Sequence, residues 1–283
     1  MKEMILHILK HSFVDTLKIL PFLFVAFLII ECIEHKVSSK FKNIVGKTGK
    51  FGPIIGGFFG LIPQCGFSVL ATNFYITRVI SLGTLISIYL STSDEMLPIM
   101  LSYGVGYRLI LLFLGVKFVF GFLFGYIIDF IFKNKFSKFN YDLCDKDHCD
   151  CQHSLLKSSL IHTLNIFLFI LVTTIGIDIL FELYGEDIVS KVFLKDSLFG
   201  PFIGALIGLI PNCAASVALT ELFLNNAIGI GTCISGLLTG SGVAILVLFK
   251  TNKNFKENLF IISSLYLIGV LVGIFIDLLS ILV

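Results

Sequence analysis

The chain has 283 residues, 56% of them hydrophobic and only 14% charged, and a mean hydropathy of +0.97. That is more apolar surface than a soluble domain can hide in one core, so a soluble enzyme or binding module is excluded and lipid is the expected solvent. The net charge of +2 is spread over lysines between apolar runs rather than gathered into a basic domain, which argues against nucleic acid as a partner.

The N-terminal segment carries Glu3, His7, Lys10 and Asp15 and lacks a small-residue cleavage site. It reads as a mature, partly amphipathic helix and not as a removable signal peptide. A first span is expected over residues 16–32, followed by a loop with Lys36, Lys40, Lys42, Lys47 and Lys50. A second span over 52–76 contains Pro63, whose missing N–H and ring clash interrupt the helical ladder. Two short apolar pieces follow, 79–90 and 96–103, separated by Ser91-Thr92-Ser93-Asp94-Glu95. The first piece reaches only about 18 Å at about 1.5 Å per residue, short of the roughly 30 Å hydrocarbon core. It is expected to stop at the midplane and turn back as a re-entrant hairpin; one long helix broken at the polar run is the competing topology. A full span over 109–132 closes the first half.

Residues 133–158 form a linker with Cys144, His148, Cys149, Cys151 and His153. Five thiol or imidazole groups this close suit a tetrahedral soft-metal site, although the spacing matches no zinc-finger pattern. It reads as a metal-capture or sensing loop. The seven cysteines are scattered and do not form a secreted disulfide framework.

Residues 159–283 repeat residues 1–132. The run GPIIGGFFGLIPQCGFSV starting at Gly52 aligns without a gap on GPFIGALIGLIPNCAASV starting at Gly200. The same offset matches Gly83-Thr84 to Gly231-Thr232, Ser87 to Ser235, and Gly121, Gly125 and Asp129 to Gly269, Gly273 and Asp277. Identical Pro, Cys, Ser, Thr and Asp positions in fixed register point to duplication. With an odd number of crossings per half, the second half is inverted. The three Lys-rich segments, 36–50, 133–157 and 250–256, then fall on one side, as the positive-inside rule demands. The expected fold is an all-α polytopic membrane protein: two inverted repeats of about five hydrophobic segments each, with Pro-broken helices, short re-entrant hairpins, both termini outside and the linker cytoplasmic.

Irregular backbone at membrane depth is tolerated only where it lines a cavity or is buried in protein, and inverted repeats with broken helices are a recurrent construction of secondary transporters. The expected cavity draws Gln64, Cys65 and Ser68 from the first break and Asn212, Cys213 and Ser216 from the second. Thr92, Ser93, Asp94 and Glu95 come from one polar tip, and Thr239, Gly240 and Ser241 from its counterpart. Asp94 and Glu95 are opposed in the repeat by Gly242 and Val243, so the tip's negative charge is one-sided, as suits a cation. No Lys or Arg lies nearby in sequence to pair them, and carboxylates in apolar surroundings are functional candidates by default. Oxygen donors with two thiols leave the metal open between Mn²⁺ and softer ions such as Zn²⁺ or As(III). Glu221 is an extra carboxylate that could line the pathway. Asp129 and Asp277, each four residues past a GxxxG spacing, are candidates for a proton relay, and the glycines for close helix packing.

No enzyme is expected, because the spans hold no nucleophile–base pair or closed metal triad. No GxxxxGK[ST] loop is present to drive a pump. No resident cofactor is expected; the metal ion is cargo. Lipid bilayer and metal ion are the expected partners, and a homodimer is compatible with the sequence. The rival reading is a permease for arsenite or another thiol-reactive arsenical, with Cys65 and Cys213 as the binding groups.

GLIPQCGFSV with STSDEMLPI in one half, and GLIPNCAASV in the other, together with the Cys/His-bearing linker, resemble the ten-segment heavy-metal exporter family of bacteria, whose members are described as manganese transporters and are related by name to arsenic permeases. The resemblance covers essentially the whole chain. It implies the ten-segment fold, a multi-pass location in the bacterial cytoplasmic membrane, and metal efflux.

Overall fold

The computed structural model describes residues 51–62, 65–93, 96–132 and 199–282, with scattered helical positions within 13–28 and 160–179. The lysine loop at 36–50, the linker at 133–158, and Pro63, Gln64, Asp94 and Glu95 lie outside the described residues. Described residues of the first half form α1 (Gly52–Gly60), α2 (Cys65–Ile76), α3 (Leu82–Ser91), α4 (Met96–Ser102) and α5 (Tyr107–Phe132). Those of the second form α6 (Gly200–Gly208), α7 (Cys213–Leu224), α8 (Ile230–Thr239), α9 (Ala244–Thr251) and α10 (Phe255–Leu282). No strand occurs among the described residues.

Local chemistry sets these limits. Pro53 and Pro201 sit in the first turns of α1 and α6, where a missing N–H costs nothing. Both helices stop three residues before the prolines at 63 and 211, which cannot continue an α ladder. Ser81 caps α3 by accepting the Thr84 N–H at 3.1 Å, and Asn212 caps α7 by accepting the Ala214 N–H at 3.2 Å, each satisfying an orphan donor.

The distribution of polarity is that of a protein solvated by lipid. Large apolar side chains such as Phe58, Leu111, Phe130, Leu206 and Leu271 are exposed, whereas Ser87, Ser91, Ser93, Lys117, Ser235, Thr239 and Ser241 are buried. Among the described residues, three helical runs are long and apolar enough to cross a membrane: Tyr107–Phe132, Ile230–Thr251 and Phe255–Leu279. The second, made of α8 and α9, is 83% buried against 28% and 39% for the other two. It is therefore a central element, with α5 and α10 turned more toward lipid.

Each half builds one tight trio, α1–α3–α5 and α6–α8–α10. Glycine permits the close approach: a Cβ on Gly83 would lie 2.0 Å from the Gly125 carbonyl oxygen, and one on Gly208 would lie 2.0 Å from that of Gly236. The hydrogen bonds repeat. The Ser87 and Ser235 hydroxyls donate to the carbonyls of Pro53 and Pro201, both at 2.6 Å. The Gly83 and Gly231 amides donate to Oδ1 of Asp129 and Asp277, both at 2.8 Å. The turns after α2 and α7 match as well, with Arg78 and Asn226 in the left-handed region at φ 60° and 57°.

Directions follow from the same contacts. Gly52 meets Thr84 and Gly60 meets Ile88 and Ser91, so α1 runs parallel to α3. The chain must reverse between them, and α2 carries it back. Gly121 meets Ser91 and Gly125 meets Gly83, so α5 runs antiparallel to α3. The second half repeats this, with Gly200 on Thr232, Gly208 on Thr239 and Gly273 on Gly231. Across the halves, α2 packs on α9 and α4 on α7. The end of α5 meets the start of α10 through Phe132 and Phe260, with ring centroids 4.9 Å apart, and the start of α5 meets the end of α7 through Phe113 and Phe223 at 5.3 Å. The equivalent helices α5 and α10 thus run in opposite directions.

The re-entrant hairpin expected over 79–103 is not seen among the described residues. The parallel approach of α1 to α3 requires a reversal between Gly60 and Leu82, and that of α6 to α8 one between Gly208 and Ile230. α3 and α4 share no extended packing, nor do α8 and α9. In the second half α8 and α9 make one apolar helical run, Ile230–Thr251. Hydropathy does not separate the two arrangements, because both segments are short and apolar.

Candidate functional site

Four chain ends converge at the middle of the bundle. The C-terminus of α3 at Ser91 lies beside Gly60, at the end of α1, and the C-terminus of α8 at Thr239 lies beside Gly208, at the end of α6. α3 and α8 also pack on each other. The ends of α1 and α6 therefore sit next to the two breaks.

The breaks are dense in hydroxyls that face inward. Thr92 and Ser93 follow α3 and are both buried; Thr92 Oγ1 donates to the Ile88 carbonyl at 2.7 Å and Ser93 Oγ to the Ser91 carbonyl at 3.2 Å. In the second half Thr239 Oγ1 donates to the Ala205 carbonyl at 2.9 Å and Ser241 Oγ to the Thr239 carbonyl at 3.5 Å. A hydroxyl whose hydrogen is committed to a carbonyl presents only oxygen lone pairs to what remains. Helix C-termini add unpaired carbonyls and partial negative charge. This chemistry favours a cation.

At the start of α7, Asn212 is buried and spends its side-chain oxygen on the cap. Cys213 is half-buried, and Ser216 Oγ donates to its carbonyl at 2.8 Å. Cys65 opens α2. Ser68 is buried one turn on, and its carbonyl accepts from Thr72 Oγ1, which also pairs with the Tyr89 hydroxyl at 2.6 Å. Glu221 is half-buried on α7, about 12 Å along the helix from Cys213 at about 1.5 Å per residue, so the structure does not bring it to the centre. Among the described residues no three His, Cys, Asp or Glu side chains gather around one point. Gln64, Asp94, Glu95 and the cluster Cys144, His148, Cys149, Cys151 and His153 lie outside the described residues.

Asp129 and Asp277 have definite partners. Asp129 accepts from Ser81 Oγ at 2.5 Å and the Gly83 N–H at 2.8 Å, and Asp277 from the Gly231 N–H at 2.8 Å. Each carboxylate faces the N-terminus of the neighbouring helix, where negative charge is stabilising.

Sequence reasoning missed Lys117. It lies on α5 with 1% exposure, its main-chain carbonyl accepts from Ser91 Oγ at 3.3 Å, and its ammonium donates to the Leu237 carbonyl in the other half. The signal was present: a lone ammonium inside the apolar run Tyr107–Phe132 is a functional flag by itself.

The lipid-facing apolar exterior, the paired helix breaks and the polar centre agree with what comparison with known families finds. The model of the family described as "Putative, 10TM heavy-metal exporter" matches residues 1–186. The chain belongs to that family. Membership makes it a multi-pass membrane protein of a transporter class whose description is heavy-metal export, and the matched residues include the GLIPQCGFSV motif and the linker. No curated protein and no solved structure matches the chain.

Proposed function

We propose that this exporter-family protein is a secondary transporter that moves a divalent metal cation, Mn²⁺ or another transition or heavy metal, out across the bacterial cytoplasmic membrane by alternating access. The observation that carries the reading is the convergence of two helix C-termini, ringed by inward hydroxyls, between halves whose equivalent helices run antiparallel. Placed in a bilayer, that arrangement corresponds to inverted repeats of three crossings and one re-entrant hairpin each, with α1–α2 and α6–α7 as the hairpins. The positive-inside rule supports the orientation. Lys250, Lys253 and Lys256 flank the start of α10, which shares one end of the bundle with the start of α1, where the 36–50 loop leads in, and the end of α5, where the linker leads out. All three basic segments then face the cytoplasm.

In this reading Asp94 and Glu95, between the buried Ser93 and Met96, supply the charge of the site, and Thr92, Ser93, Ser241, Gln64 and Asn212 supply neutral oxygens. Two equivalent halves exchange inward-open and outward-open states around it. The Cys144–His153 cluster captures metal on the cytoplasmic side, as befits export.

A second reading has one observation in its favour. Cys213 is half-buried at the first position of α7, unlike Cys233, which is fully buried in α8. A thiol at a break suits arsenite or another arsenical, with Cys65 and Cys213 as ligands.

Reconstituted vesicles separate the two. Uptake of Mn²⁺, Zn²⁺, Co²⁺, Cd²⁺ and arsenite is compared for wild type, Asp94→Asn/Glu95→Gln and Cys65→Ser/Cys213→Ser. Divalent flux that disappears in the carboxylate variant upholds the first reading. Arsenite flux lost only in the thiol variant, with no divalent flux in any protein, replaces it with the second.

A further inference from the structure

The one ammonium buried in the described bundle core sits where a cation would bind. α3 and α8 both end at the centre, each with carbonyls that no amide of its own helix can satisfy and with the negative end of its macrodipole. Ser91 ties the end of α3 to the Lys117 main chain at 3.3 Å, and the Lys117 ammonium reaches across the halves to Leu237, in the last turn of α8. Lys117 therefore bridges the two C-termini. At the equivalent place in the second half stands Leu265, fully buried. The repeat thus departs from two-fold equivalence in charge, in sequence register, at Lys117 against Leu265 and at Asp94 and Glu95 against Gly242 and Val243.

We propose that Lys117 is the resident cation of the transport site: in the metal-free carrier its ammonium occupies the C-terminus of α8, beside the end of α3 to which its main chain is tied, and a divalent cation must displace it. The inference rests on the cation reading above and gives it a mechanism. An empty site of unpaired carbonyl ends would be costly to carry through the membrane centre unless compensated. The tethered ammonium compensates it, so the unloaded carrier can reorient.

Mn²⁺ binding to the purified full-length protein in nanodiscs tests this, with wild type, Lys117→Gln, Lys117→Arg and Asp94→Asn/Glu95→Gln compared. Expected are binding roughly tenfold tighter in Lys117→Gln, because like-charge repulsion is gone, and near wild-type affinity in Lys117→Arg. In vesicles Lys117→Gln keeps Mn²⁺/Mn²⁺ exchange but loses net flux, a split that a merely structural lysine would not produce. Unchanged or weaker Mn²⁺ binding in a folded Lys117→Gln overturns the inference while leaving the cation reading intact. Absence of Mn²⁺ binding in wild type overturns the cation reading itself. If Lys117→Gln does not fold, the ¹⁵Nζ resonance missing in Lys117→Arg is followed in wild type: a shift on saturation with diamagnetic Cd²⁺ supports displacement, and no shift overturns it.

Discussion

Arg78 and Glu257 join the two halves through a bidentate ion pair, Nη1 to Oε1 at 2.7 Å and Nη2 to Oε2 at 3.0 Å. The Tyr75 hydroxyl donates to the same carboxylate, Asn254 Nδ2 donates to Oε2 at 3.3 Å, and the guanidinium lies 4.8 Å from the Tyr75 ring centroid. Side-chain exposure is 20% for Arg78 and 1% for Glu257. Removing one partner leaves the other charge poorly solvated, so Arg78→Met or Glu257→Gln is expected to cost about 3 kcal/mol. Arg78→Lys also loses stability, because an ammonium cannot reproduce the fork. The double variant Arg78→Met/Glu257→Met should be less destabilised than the sum of the singles. Thermal unfolding in detergent checks all three.

Asp129 and Asp277 are expected to act as caps from across the helix interface. Asp129→Ala should cost about 1–2 kcal/mol by freeing the Gly83 amide and the Ser81 hydroxyl, whereas Asp129→Asn keeps an acceptor and loses less. Transport and its pH profile should survive Asp129→Asn and Asp277→Asn. Abolished proton-coupled flux in either folded Asn variant would support the relay role instead.

Glycine positions offer a matched comparison. Gly83→Ala drives a methyl into backbone and carboxylate, with contacts at 2.0 and 2.5 Å, and is expected to cost about 1–3 kcal/mol or to prevent folding. Gly115→Ala, on the same helix as Lys117, meets nothing within 4 Å and should be neutral or stabilising by up to about 1 kcal/mol. Equal melting temperatures for the two variants would refute the packing account.

The linker is expected to bind metal independently of the transport path. Replacing Cys144, Cys149 and Cys151 with Ser in the full chain should remove one equivalent of tightly bound Zn²⁺ or Cd²⁺. Flux at saturating metal should stay within about twofold of wild type if the cluster only captures metal at low concentration. Equilibrium dialysis with vesicle flux measures both, and unchanged stoichiometry would remove the capture role.

Duplication was legible because it is written in paired residue identities, and Ser87–Pro53 with Ser235–Pro201 repeat it as hydrogen bonds. The helix stops at Pro63 and Pro211 were legible for the same local reason. Chain direction was not, since it is set by which faces of α1 and α3 let backbones touch, a matter of Gly52, Gly56 and Gly60 meeting Thr84, Ile88 and Ser91 rather than of hydropathy. Lys117 was passed over because its partner, the Leu237 carbonyl, is 120 residues away and carries no side-chain signature. The hydrogen bonds of Asp129 and Asp277 were hidden likewise: a backbone amide leaves no trace in sequence.

Arg78 and Asn226 occupy the same left-handed turn in the two halves, yet only one of them carries a charge, and the partner positions have diverged with it: Glu257 against Leu109, Tyr75 against Phe223. On the proposed reading these turns lie at opposite mouths of the pathway. One mouth is latched by ions and the other is closed by apolar packing, so the two gates do not cost the same to open. Such a carrier idles with a preferred face, and the slow half of its cycle is the one that unfastens Arg78 from Glu257.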